Sequence, residues 1–310
     1  MPVKILLPRL TVILLTIILF AIAPNAWSAS FTIVDGQFVT SQQTLLDPGD
    51  TGTINSGGDL TTSVIAIATS ASNITVLNNG AITTSGYNAY GIDSRSNSGT
   101  NTFTNSGTIT TSGTTGYGIY LLQNSGTTTA TNSGTITTSG QYGHGMYSKN
   151  QASGGIGTFT NSGTITTSGD SSRGIYSNAN NGTITILNSG TIMTSGSSNN
   201  YGMQSSANSS TETLTNSGTI TTSGANGYGI ISSTNSGTNT ILNSGTITTS
   251  GTNAPGMYSS ANSGTETFTN SGNITASGQY GHGMYSYNQA SGGTSTFTNS
   301  GTITTSEAYG

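Results

Sequence analysis

The sequence contains no cysteine, and only 5% of its 310 residues are charged, against about a quarter in an ordinary globular protein. The first absence excludes disulfides as a source of stability. The second excludes any extended basic surface: five Lys and Arg residues cannot neutralise a phosphate backbone, so nucleic acid is not an expected partner. Low charge combined with modest hydrophobicity is the composition of disordered or fibrous chains. Glycine, with 45 residues, runs at about twice its average usage. Regular spacing of the apolar residues nevertheless argues against disorder.

The one long hydrophobic run lies at the start. Lys4 and Arg9 precede fourteen apolar-rich residues from Leu10 to Ala23, and small residues Ala26 and Ser28 follow at the positions of a cleavage site. This is the layout of a secretory signal peptide over residues 1–28, too short to span a bilayer comfortably as an uncleaved anchor. Its removal takes away two basic residues and the single tryptophan, Trp27. Three basic residues then face nine acidic ones, a net charge of −6.

Beyond the leader the chain repeats itself. The string NSGTITTSG and its variants begin at Asn78, Asn105, Asn132, Asn161, Asn188, Asn216, Asn243, Asn270 and Asn299, in steps of 27 to 29 residues. A degenerate copy begins at Gly57. Each period holds three short runs of strand character separated by Gly, Ser and Asn clusters. One centres on Ile82, Ile109, Ile136 and their successors to Ile303, flanked by threonine; one carries Ile92, Ile119, Met146 and Ile175; one carries Val76, Phe103, Ala130 and Phe159. Apolar residues with polar neighbours on both sides give the period-two signature of half-buried strands, and no run suits a helix.

Three strands and three turns in about 27 residues describe one coil of an all-β, right-handed parallel β-helix, a solenoid of about ten coils of 27–29 residues. A propeller blade needs a longer unit, and a leucine-rich repeat needs a leucine ladder that is missing. The expected organisation is a signal peptide over 1–28, an N-terminal cap over 29–56 and the repeat domain over 57–310. Three inward apolar side chains cannot offset the entropy of ordering one coil, so stability must come from stacking many.

The recurring asparagine has the inward parity of the Phe and Ile columns. Stacked at about 4.8 Å, these nine side chains can pass amide hydrogen bonds from coil to coil as a structural ladder. The glycine two places on is expected to supply a positive φ at the corner. Residues 139–168 and 277–306 differ only at Lys149/Tyr287, Ile156/Thr294 and Gly157/Ser295, which indicates growth by duplication of coils.

The search for chemistry finds little. His144 and His282 share a corner column with Tyr90, Tyr117, Arg173, Tyr201, Tyr228 and Pro255, but five coils, roughly 24 Å, separate them. They read as surface substitutions at a tolerant corner. Glu212 and Glu266 share another column two coils apart, and the remaining acids are scattered. No catalytic, cofactor-binding or metal-ligating residue is assigned, and no cofactor is expected. Two outward surfaces could bind something. One is the column holding Tyr120, Tyr147, Tyr176, Tyr258 and Tyr285, able to grip sugars or another protein or simply to stabilise a sheet. The other is the Thr-Ile-Thr face, whose threonine grid is similar to that of β-solenoid antifreeze proteins but is broken by Ala81, Met193 and Asn273.

The signal peptide, the lack of cysteine and the repeated NSGTITTSG, YGIYS and TFT coils together resemble the passenger domains of Gram-negative autotransporters, the type V secretion route. The resemblance covers about residues 30–310. It implies a non-enzymatic β-helix displayed at the outer membrane as an adhesin or stalk, secreted or held at the cell surface, with host-surface or cell–cell contacts as partners. It also implies an outer-membrane β-barrel translocator, which these 310 residues do not contain, so the repeat domain is expected to be truncated at its C-terminal end or exported differently. An ice-binding threonine-array solenoid and a β-helical carbohydrate-active enzyme are the alternatives.

Overall fold

The computed structural model describes residues 30–287 and 289–306. The expected signal peptide lies outside the described residues. Over the rest the chain is all-β, and three strands recur per coil because each period contains three alternating runs broken by turn-forming residues. The first sheet runs from Phe31–Ile33 to Thr294–Asn299 and the second from Phe38–Val39 to Thr302–Thr305, with eleven strands each; the third runs from Gln43–Leu45 to Met284–Tyr287 with ten. Every strand pairs in parallel with its equivalent one coil on, which makes the molecule a parallel β-helix. The stretch from 30 to 56 carries the first circuit and opens the second.

The register keeps like beside like. Phe103 pairs with Ala130 and then Phe159, Ile109 with Ile136 and Ile165, and Ile119 with Met146 and Ile175. These columns form one continuous apolar core inside the solenoid. Where a coil is two residues longer, the surplus leaves the register untouched. Ser153 and Gly154 project from the corner between the third and first sheets, Gly154 with φ +81°, while Ala152 and Ile156 still bond to the coil below through Asn124 and Gly126. Gly292, at φ +88°, marks the same insertion in the later block.

The corner glycine differs from expectation. Gly107, Gly134 and Gly163 do not have positive φ; the left-handed positions at the corners are held mainly by non-glycine residues such as Asn88, Thr115, Asn226 and Asn253. Glycine is required at 134 for a different reason: a Cβ there would sit 2.0 Å from the Gly107 carbonyl oxygen of the preceding coil. Close approach of stacked backbones, not backbone handedness, fixes that residue.

Candidate functional site

The repeated asparagines stand at the corner between the first and second sheets, their side chains turned inward by strand parity. Asn78 donates from Nδ2 to Asn105 Oδ1 at 2.7 Å, and the same 2.7 Å bond recurs through Asn132, Asn161, Asn188, Asn216, Asn243, Asn270 and Asn299. Each amide in the middle of the stack also donates to the carbonyl of its own corner glycine, as Asn132 does to Gly134. The buried side chains of the column therefore satisfy carbonyls on the inner side of a tight bend.

A second interior polar column was not singled out in the sequence. Asn97, Asn124, Gln151, Asn180, Asn208, Asn235, Asn262 and Gln289 recur with the same period, five residues after the Ile/Met column. These side chains take backbone N–H groups from the coil below: Asn97 N–H donates to Asn124 Oδ1 at 2.9 Å, and Asn208 N–H to Asn235 Oδ1 at 2.7 Å. The regular spacing was the available signal. A third column of buried hydroxyls (Ser94, Ser148, Ser177, Ser205, Ser232 and Ser259) faces it.

Glu212 and Glu266 belong to this interior and not to the surface. Both are buried. Glu212 accepts from Ser205 Oγ and, at 2.7 Å, from Asn208 Nδ2. Glu266 accepts from Ser232, Ser259 and, at 2.6 Å, Asn262 Nδ2. Asn239 lies in the coil between them and donates to Ser232 Oγ at 3.1 Å. Burial pushes the Glu212 carboxyl up from 4.5 to about 7, against the opposing pull of its Ser and Asn donors. The acids thus lie within the wall of the solenoid, out of reach of a large substrate.

The outward tyrosines are more covered than their parity suggests. Tyr120 and Tyr147 are each only 6% exposed, Tyr176 and Tyr258 are half-buried, and Tyr285 is 36% exposed. The cover is the corner column three residues earlier. Tyr117 stacks on Tyr90 at 4.8 Å and on His144 at 5.0 Å, and Tyr120 and Tyr147 interlock with them edge-on. His144 is accordingly not a surface residue. It is 4% exposed, accepts the Arg173 backbone N–H at Nδ1 over 3.1 Å, and is held neutral well below 6.5 by burial first and by the Arg173 charge second. Burial likewise pushes the Tyr120 hydroxyl up to about 12.

Arg173 continues the column as a cation between rings, 5.1 Å from Tyr176 and 5.0 Å from Tyr201. Arg95 is paired with Asp93 at 2.7 Å. Among the described residues no cluster of three or more His, Asp or Glu side chains is placed to hold a metal ion.

A long three-sheet parallel β-helix with an asparagine ladder at its corner places the chain among extended β-solenoid proteins. Residues 21–228, two thirds of the chain, match the family described as the BigA third pectate lyase-like domain, and the chain belongs to that family. No curated protein and no solved structure matches it.

Proposed function

We propose that the chain is a non-catalytic, surface-displayed β-helical segment of a bacterial protein, carried as an autotransporter-type passenger and acting as a stalk or adhesin. Membership of the BigA family, together with the leader-like first 28 residues, supports display. The observation that carries the non-catalytic reading is where the charges go. Glu212 and Glu266 are sealed inside the solenoid, Asp93 and Arg95 neutralise each other, and Arg173 is wedged between tyrosine rings. A lyase or hydrolase needs acid, base and cation converging on one open groove, and here they are dispersed and engaged.

The test has two arms. Antibody labelling of intact producing cells is expected to match that of permeabilised cells; labelling only after permeabilisation overturns display. Incubation of the purified protein with polygalacturonate and with neutral plant and microbial polysaccharides is expected to release no unsaturated or reducing ends. Turnover that survives further purification overturns the non-catalytic reading.

A further inference from the structure

The aromatic cover of the third sheet opens at Pro255. Through residues 90–147 the corner column and the strand column interlock so tightly that Tyr90, Tyr120, His144 and Tyr147 are all less than a tenth exposed. At Pro255 the corner column loses its ring. Tyr228 stacks on Tyr201 below at 5.0 Å but meets no ring above it in its own column and tilts 44° against Tyr258 at 4.7 Å, while His282 above leans on Tyr285 at 4.6 Å. Between them opens a cleft of about 510 Å³, with Tyr228 and His282 as end walls, Tyr258 and Tyr285 as floor, and Asn226 and Asn253 on the rim.

The duplicated blocks share residues 141–147 and 279–285, but in different surroundings: His144 lies between Tyr117 of the coil below and Tyr176 of the coil above, whereas His282 has Pro255 below it and belongs to the last described coil of the third sheet. One of the three differences between the blocks also falls here: Tyr287, beside Tyr285 at 6.3 Å, replaces Lys149 and adds another ring to the cleft wall.

We propose that this cleft binds a neutral saccharide. Its volume lies in the usual range for small-ligand sites, roughly 300 to 1,000 Å³. None of its lining residues is Lys, Arg, Asp or Glu, so nothing in it complements a charged ligand. Tyrosine faces offer flat apolar platforms for the C–H faces of a sugar ring, and the phenol and amide groups around them offer donors and acceptors for its hydroxyls. Asn226 and Asn253 hold left-handed corner conformations at φ 50°, so the rim amides stand on fixed backbone. The proposal concerns the ligand of this cleft and stands whether or not the chain is displayed, so purified protein separates its failure from failure of the display reading.

The experiment uses full-length protein and a panel of neutral gluco-, galacto- and manno-oligosaccharides, with oligogalacturonate as the anionic comparison. Binding is followed by calorimetry and by intrinsic tyrosine fluorescence. At least one neutral oligosaccharide is expected to bind at millimolar affinity or better. Pro255→Tyr places in the gap the ring that Tyr90, Tyr117, Tyr201 and Tyr228 supply elsewhere, and is expected to weaken binding at least tenfold with an unchanged circular dichroism spectrum. Tyr287→Lys, which restores the residue of the sealed block, is expected to weaken it several-fold. Tyr142→Ser, on the sealed block, is expected to leave it unchanged. Absence of binding across the neutral panel, binding of oligogalacturonate alone, or binding indifferent to both cleft variants overturns the proposal.

Discussion

Asn132 gives its side-chain amide to Asn161 across 2.7 Å, and the same Asn132 oxygen receives the amide of Asn105 one coil earlier. One residue thus acts as donor and acceptor along the solenoid axis, inside a bend where water cannot substitute. Breaking one link orphans groups on two neighbouring coils as well as the corner carbonyl of its own.

The first expectation follows from that sharing. Asn161→Ala takes the donor from the Asn188 oxygen and the Gly163 carbonyl and removes the acceptor of the Asn132 amide's shortest bond, and each buried orphan costs about 1 to 3 kcal/mol. Urea unfolding should show a loss of about 2 kcal/mol or more, whereas the exposed Ser162→Ala should change the midpoint little.

Two glycines should fail for different reasons. Gly134→Ala drives a methyl group onto the Gly107 carbonyl oxygen, so neighbouring coils must separate; a large drop in melting temperature is expected. Gly154→Ala has open space around it and suffers only its left-handed φ of +81°, a cost of about 1 to 2 kcal/mol. Comparable losses for the two variants would contradict this distinction.

The buried Glu212 predicts a stability that falls toward alkaline pH. Its carboxyl is raised from 4.5 to about 7 in the folded chain, so the native state holds the proton more tightly than the unfolded state. The resulting stabilisation is complete below pH 4.5 and is lost as pH rises to about 7. Asp93, raised to about 6 chiefly by burial, adds a slope of the same sign starting from 3.8. Glu212→Gln should flatten the fall between pH 5 and 7 and raise the urea midpoint at pH 8.

His144 acts in the opposite direction. Burial holds it neutral in the folded chain, while in the unfolded chain it takes a proton below about 6.5. Its stabilisation is therefore present above that pH and declines as the solution becomes more acidic. His144→Tyr, which copies Tyr117 in the same column, should reduce the loss of stability between pH 6.5 and 5. An unaltered pH profile would mean that the imidazole is not sealed.

Much of the fold was legible in the sequence because columns spaced by 27 to 29 residues admit few interpretations. The Ile109, Ile136 and Ile165 column has a fixed parity within its strands, and only stacking in register keeps that parity inward. Burial at the corners was harder to read. Glu212 sits between threonines like any solvated acid; its inward parity with Leu214 was visible, but the Ser205 and Asn208 groups that receive it lie on the preceding strand of the same coil and in the turn that follows it. His144 is buried by Tyr117, Tyr147 and Tyr176, which belong to three successive coils and meet only when the third sheet closes. The corner glycine misled because turn residues suggest backbone handedness first, whereas contact with the coil beneath can be seen only once coils are stacked.

The outward step at Ser153 and Gly154 works as an expansion joint. Surplus residues leave the wall between the third and first sheets and return two positions later, with the hydrogen bonds on either side of the detour aligned. Length can therefore vary at this seam without disturbing the coils above or below. A chain that grows by copying blocks keeps there a margin along which its side can acquire new projections while its spine stays unchanged.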